Sequence, residues 1–295
     1  MTRSTSARLR LTDPSALRRR LQQRDPFVGL RGEEQLLLVA LDHPARGSLD
    51  AGGRPMAMAD RADLLDRAAE ALSRPGVHGV VGTADTLEEL ALRGLLDGRL
   101  VIGSMNRGGL HGSTFEVDDR FTAYSPAGVV EAGLDGGKML LRMDLADPAT
   151  ARTVEACAGA VEQLARAGRT ALVEPFIVAR DDMGRLRTAL DVASVVRSVT
   201  IASGLGSTSA HTWLKLPALP DMEPVMAATT LPALLLGGEI GADLDGALAV
   251  WGRALRVPGV QGLVVGRALL YPPGDDVAGA VDDARSLLVG PGTTS

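Results

Sequence analysis

The sequence predicts a (β/α)8 barrel of the TIM-barrel type, a closed ring of eight parallel strands each followed by a helix, and three observations carry that prediction. Eight short runs rich in leucine and β-branched residues alternate with longer Ala/Leu/Arg/Asp segments of helical period. Together they occupy about 250 residues, the span of one such barrel and too regular for an open doubly wound sheet. The charged residues that interrupt the apolar runs gather in or just after strands, and the downstream ends of strands are where barrels of this kind carry their chemistry.

The elements follow in order. The first 24 residues hold seven arginines, among them Arg18, Arg19 and Arg20. After Asp13-Pro14 they suit a short amphipathic helix, expected to be a solvated leading element. Residues 1–30 form this extension and 31–295 a single barrel domain. The expected strands are residues 36–41, 78–81, 100–105, 138–143, 170–176, 212–216, 233–236 and 262–265. Expected helices cover 61–73, 87–96, 149–167, 191–203, 223–228, 243–253 and 275–288, with Pro148 and Pro224 suited to helix openings. The longest irregular stretch, 106–126, follows the third strand and holds Phe115, Phe121 and Tyr124. It is either a lid over the barrel mouth or a packed surface loop. Gly204-Leu205-Gly206 lacks a third glycine and precedes a strand, so it is a helix-to-strand turn and not a dinucleotide loop.

Composition narrows the function. A chain of 295 residues, 45% of them hydrophobic, can bury one large core. A net charge of −5 and a pI near 5.5 argue against binding nucleic acid or an anionic membrane, since both need a basic face. An anionic ligand must therefore meet a local basic pocket. The one cysteine, Cys157, lies in an alanine-rich helical segment and is expected to be a small buried thiol, which leaves no disulfide framework within a chain. No apolar run reaches the roughly 18 residues needed to span a bilayer, and the N-terminus lacks the apolar stretch of a secretory signal, so a cytoplasmic location is expected. A homo-oligomer is compatible with all of this, and nothing in the sequence sets the number of copies.

The basic residues are distributed unevenly: 29 of the 31 are arginine, and the two lysines are Lys138 and Lys215. A chain that drifts this far towards arginine keeps lysine where arginine cannot substitute, as in forming an imine or shedding a proton near neutrality. Lys215 lies in the apolar sixth strand beside Trp213 and Leu214, and Lys138 opens the fourth. Glu174 is inside the fifth strand, and Asp42 follows the first in Ala40-Leu41-Asp42-His43-Pro44. Charges within apolar strands are costly unless paired, so several converging on one barrel interior point to function. If both lysines face inward at roughly 6 to 7 Å, they repel by about 2.5 kcal/mol at an effective dielectric of about 20, which eases proton release from one of them. An ionised Glu174 offsets part of this.

Strands seven and eight leave through Gly237-Gly238 and Gly266-Arg267. Glycine there lets backbone N–H groups approach an oxyanion, and arginine adds charge-assisted donors, so the two exits are expected to form a phosphate cradle. Arg142, on the fourth strand, is counted with this substrate-binding set. A zinc site needs about three nitrogen or carboxylate ligands at one end of the barrel. His78 and His211 fall near the opposite rim, leaving His43 and His111 at the mouth. No zinc site and no cofactor are expected, and only a carboxylate-held magnesium stays open.

These residues resemble the class I, Schiff-base aldolase superfamily of archaeal-type fructose-bisphosphate aldolases and class I tagatose-bisphosphate aldolases, over about Leu37 to Tyr271. Ala40-Leu41-Asp42-His43 resembles the first-strand LDH or ADQR signature, and the run from Gly133 through Lys138 to Asp144 resembles the GADAVKxLLYYD strand. Val173-Glu174 is similar to the LE of strand five, Trp213-Leu214-Lys215-Leu216-Pro217 to the strand bearing the imine lysine, and Val265-Gly266-Arg267-Ala268 to the closing CGRA. The resemblance implies metal-free aldol chemistry with Lys215 as imine former, Glu174 as proton shuttle and Lys138 as their electrostatic neighbour. It also implies that Asp42 orients the substrate and that Gly238 and Arg267 meet its phosphate. Arg142-Met143 stand where the family has paired tyrosines, and Pro175 directly follows Glu174, which leaves substrate identity and proton route to this chain's own residues. The expected reaction is reversible cleavage of a phosphorylated ketose or deoxy-sugar acid to a three-carbon ketone and an aldehyde. Fructose, tagatose, deoxyribose and inositol-derived phosphates all remain candidates. Transaldol or acyl transfer on the same scaffold is the nearest alternative, and a sugar-phosphate-binding regulator without turnover is an alternative of another class.

Overall fold

Nine strands make one sheet in the computed structural model, which describes residues 3–29, 34–106, 109–238 and 243–288. In chain order they are β1 (Leu36–Ala40), β2 (Gly79–Gly82), β3 (Leu100–Ser104), β4 (Gly136–Asp144), β5 (Thr170–Arg180), β6 (Leu186–Thr188), β7 (Thr212–Pro217), β8 (Ala233–Leu236) and β9 (Val260–Val265). Eight of them pair in parallel in the order β1-β2-β3-β4-β5-β7-β8-β9, and β9 returns to β1 through Leu36↔Gly262 and Leu38↔Val264. The sheet thus closes into the (β/α)8 barrel that the alternation of elements predicts. The ninth strand, β6, lies outside the barrel and pairs antiparallel with the far end of β5 through Val178↔Thr188 and Arg180↔Leu186. Its three residues are mostly exposed and carry no apolar alternation, so no periodicity announces it.

Strand burial follows from the closure. All five residues of β1 and all nine of β4 are buried, because one face of each strand meets the barrel interior and the other meets helices. Alternate residues therefore enter two separate cores. Leu36, Leu38, Ala40, Ile102, Leu172, Leu234 and Val264 pack inside the barrel with Phe27 and Trp213. Leu37, Val39, Met139, Leu141, Val173, Leu214 and Leu263 face the helical layer. Each fully buried leucine contributes roughly 1.5–3 kcal/mol. Aspartates start several of the helices: Asp60, Asp191, Asp243 and Asp276 accept hydrogen bonds from backbone N–H groups two or three residues on, each stabilising its helix by about 1 kcal/mol.

The leading segment differs from expectation. It forms two helices, Arg3–Thr12 and Ser15–Gln22, and the second is docked instead of solvated. Leu17 and Leu21, four residues apart on one face, are buried. Arg24 then enters the protein, donating to the carbonyls of Arg99 (3.0 Å) and Gly133 (2.9 Å) and pairing with Asp135 (2.7 Å). Residues 30–33, where the extension is expected to join the barrel, lie outside the described residues. Cys157 is fully buried. Among the described residues no helix is long and apolar enough to cross a membrane.

Register places the chemistry. Lys138 pairs with Leu172, Leu140 with Glu174 and Leu172 with Trp213, so Leu172 and Trp213 sit one inward-facing step below Glu174 and Lys215. The lower barrel is an apolar floor, and the charged side chains stand above it, towards the strand exits.

Candidate active site

Five polar side chains from five strands or strand exits meet inside the barrel. Asp42 leaves β1, Ser104 ends β3, Lys138 lies in β4, Glu174 in β5 and Lys215 in β7; none is more than 6% exposed. Ser104 Oγ donates to Asp42 Oδ2 at 2.8 Å, and Lys138 Nζ donates to the same oxygen at 3.2 Å. Lys138 also contacts Glu174 Oε2, while Lys215 Nζ lies 2.7 Å from Glu174 Oε1. The result is an unbroken chain of alternating charge, from Ser104 through Asp42, Lys138 and Glu174 to Lys215. Two carboxylates balance two ammonium groups, which is what makes their burial tolerable. Both lysines face inward, as the pleat requires, but they do not confront each other directly because the Glu174 carboxylate lies between them.

Glu174 takes its character from that position. Burial pushes its carboxyl up, but the ammonium groups of Lys138 and Lys215 outweigh burial and the opposing Asp42 and hold its pKa down to about 2. It is therefore an ionised proton acceptor throughout the neutral range.

The two glycine exits lie where the strand order puts them. Gly237 and Gly238 follow β8, and Gly266 and Arg267 follow β9, at the end of the barrel to which Asp42 and Lys215 point. Gly238 adopts φ +66°, a left-handed conformation that favours glycine. At Gly266 an added Cβ would stand 2.5 Å from the Ala40 carbonyl oxygen and 2.9 Å from His43 Cε1, so no side chain fits. Glu239, which follows the first pair, is outside the described residues.

Arg142, expected among the substrate ligands, is engaged by the loop that follows β3. Its guanidinium, only 4% exposed, donates from Nε and Nη2 to the two oxygens of Asp119 at 2.8 and 2.7 Å, and from Nη1 to Glu116 Oε1 at 3.2 Å. Glu116 also accepts from Arg46 (3.4 Å) and from the Gly112 N–H (2.9 Å). These carboxylates belong to the 106–126 stretch, so Arg142 anchors the loop to β4. Asn106, fully buried, ties the loop's start to β4 by accepting from the Leu140 N–H at 2.7 Å and donating to the Leu140 carbonyl. Ala123 N–H closes the far side on the Met105 carbonyl. Apart from residues 107 and 108, which are outside the described residues, the stretch is tethered to β4 and to the end of β3, while Leu110 and Phe115 stay exposed.

Sequence reasoning missed Ser104 and Asn106, and it placed His43 at the mouth without giving it a role. The first two were within reach, since Leu100, Ile102, Ser104 and Asn106 alternate along β3 and turn polar at the mouth. The His43 ring lies against Gly266, and the charges of Asp42, Arg267, Lys215 and Lys138 all act on it. His78 belongs to the opposite rim, where Nδ1 accepts from the Leu37 N–H at 3.1 Å and Nε2 meets Glu34 at 3.0 Å. Among the described residues no three His, Cys, Asp or Glu side chains form a group that could hold a metal ion.

Comparison with known proteins fits this geometry. A family model described as Cgl0159-like matches residues 34–285. The crystal structure of Cgl0159 from Corynebacterium glutamicum (Brevibacterium flavum) is 48% identical over 96% of this chain and 95% of that chain, with a TM-score of 0.92. A Schiff-base-forming fructose-1,6-bisphosphate aldolase is 18% identical over 92% of this chain and 100% of that chain, with a TM-score of 0.62. An archaeal fructose-1,6-bisphosphate aldolase is 17% identical over 92% and 98%, with a TM-score of 0.61. At that identity the two aldolases share the fold. Comparison with curated proteins gives no match. The chain belongs to the Cgl0159-like family, and its barrel has the fold of the archaeal-type class I fructose-bisphosphate aldolases.

Proposed function

We propose that this protein is a Schiff-base aldolase, a lyase that reversibly cleaves a phosphorylated ketose or deoxy-sugar acid to a three-carbon ketone and an aldehyde. The observation that carries the proposal is the ionised Glu174 carboxylate lying between Lys215 and Lys138 above an apolar floor. Lys215 pairs with Glu174, whereas Lys138 is held by Glu174 and Asp42 together, so Lys215 is the amine with fewer bonds to break before it attacks.

Lys215 Nζ passes a proton to Glu174 Oε1 and its freed electron pair attacks the substrate carbonyl carbon. The carbonyl oxygen takes up a proton and leaves as water, giving an iminium. Glu174, again ionised, removes the proton of the hydroxyl on the carbon beyond the scissile bond. The C–C bonding electrons flow into the iminium, the aldehyde departs, and the remaining enamine takes back a proton before water releases the ketone. Lys138 keeps its charge throughout and favours the ionised form of Glu174 between proton transfers. Arg267, with Gly238 and Gly266, receives the phosphate, and Asp42, fixed by Ser104 and Lys138, orients the substrate hydroxyls.

The test is turnover on a panel of phosphorylated ketoses and deoxy-sugar acids, with both products followed. At least one should be cleaved, and Arg267→Ala should raise KM about ten-fold or more for the phosphorylated substrate while changing little for its dephosphorylated analogue. A borohydride-stable adduct without cleavage would make the protein a transaldol or acyl-transfer enzyme instead. Saturable binding with neither cleavage nor adduct would make it a binding protein.

A further inference from the structure

Two histidines of this chain meet opposite fates, and the contrast is informative. His78 uses both ring nitrogens, one on the Leu37 N–H and one on Glu34, as a histidine kept for stability does. His43 Nδ1 is enclosed and has no hydrogen-bond partner among the described residues. A buried polar atom left without a partner costs roughly 1–3 kcal/mol, a cost that a bound molecule would relieve.

The position of the ring says which molecule. His43 follows Asp42 directly and opens the short turn His43–Arg46. Its ring lies on Gly266, where an added Cβ would stand 2.9 Å from Cε1 and 3.2 Å from Nδ1, so the glycine makes room for the imidazole. Arg267 follows Gly266 in sequence, and the charges of Asp42, Arg267, Lys215 and Lys138 all act on the ring.

We propose that His43 is a further catalytic residue of this site, one whose Nδ1 hydrogen-bonds the substrate oxygen on the carbon next to the Lys215-bound carbonyl carbon, on the side that carries the phosphate. The proposal rests on the Schiff-base assignment made above. Burial above all, then the charges of Arg267, Lys215 and Lys138, lower the His43 pKa to about 3 against the opposing Asp42. The ring is therefore uncharged near neutrality, with one N–H to donate, and it binds the ester oxygen as a dipole where the phosphate is already matched by Arg267.

The experiment measures the fraction of protein converted to borohydride-reduced adduct as dihydroxyacetone phosphate is raised, for the wild type and for His43→Phe, His43→Asn and His43→Gln, with thermal midpoints taken alongside. The Asn amide falls near the place of Nδ1 and the Gln amide near that of Nε2. His43→Phe is expected to raise the half-saturating concentration about ten-fold. His43→Asn should recover most of that loss and His43→Gln should not. A wild type that is trapped while His43→Phe saturates at the same concentration overturns the role of His43 alone. So does equal failure of the Asn and Gln variants together with a fallen thermal midpoint, which would make the ring structural. A wild type that forms no adduct overturns the Schiff-base assignment and this proposal with it.

Discussion

Glu174 and His43 respond to acid through opposite chemistries but with the same sign. The Glu174 pKa is depressed from the usual 4.5 to about 2, so its contribution to stability is present above 4.5 and is lost as pH falls through about 2. His43 is depressed from 6.5 to about 3, so below 6.5 the unfolded chain binds a proton that the native ring refuses, and stability falls. The loss is at most about 2 kcal/mol near pH 5. Thermal midpoints at about pH 7.5 and about pH 5 should therefore drop further for the wild type than for His43→Asn; equal drops would mean that the ring takes up its proton in the native state. Lys138→Met strips Glu174 of one of the two cations that hold it ionised while leaving burial in place, so the acid limb of the kcat/KM profile should move upward towards neutrality. Lys138→Arg, which keeps the charge, should leave that limb nearly where it was, and equal profiles for both variants would show that Glu174 does not govern it.

Among the elements, the 106–126 stretch carries the sharpest expectation. Asp119 is fully buried and holds Arg142 through two hydrogen bonds, so Asp119→Ala leaves a buried guanidinium short of a partner and should cost about 3–5 kcal/mol. Amide exchange over residues 109–121 should quicken more than elsewhere, and unchanged exchange there would show that the loop does not depend on this anchor. The same loop marks the limit of what sequence discloses. Arg142 reads as a substrate ligand because it is a cation on the inward face of a strand, and nothing local reveals that its carboxylates stand 23 and 26 residues away. Barrel strands and most of their helices were legible to within a few residues because each buries an apolar run or stripe of its own period, whereas the six-residue helix Pro126–Glu131 was not expected. β4 begins two residues before Lys138 because Gly136 and Gly137 belong to the ladder with β5, where an added Cβ on Gly136 would stand 2.4 Å from the Thr170 carbonyl. The β5 extension and β6 were not legible, since beyond Val178 they pair only with each other and are mostly exposed. Of the site, Lys215, Glu174, Lys138 and Asp42 stood out as charges in apolar strands. His43 was masked by its neighbour, because its significance lies in a missing hydrogen bond and in the close approach of Gly266 from the other end of the chain.

At the scale of the whole molecule, closure of the sheet does what no single element can. It brings residues as far apart in sequence as Asp42 and Lys215 above one apolar floor, and it sets β9 beside β1 so that Gly266 and His43 touch. The second leading helix and Arg24 brace this closure from outside by tying the segments before β3 and β4 together. Because the proposed chemistry draws every charge it uses from side chains, exhaustive EDTA treatment should leave turnover nearly intact; loss restored by zinc or magnesium would contradict it. The central claim is that Lys215 is the amine that becomes covalently attached to substrate. With only two lysines in the chain, it can be settled by peptide mass mapping after borohydride reduction in the presence of dihydroxyacetone phosphate. The adduct should fall on the peptide containing Lys215, vanish in Lys215→Arg because guanidinium keeps the charge but forms no imine, and persist at a reduced rate in Lys138→Arg. An adduct on Lys138, or undiminished cleavage by Lys215→Arg, would contradict it.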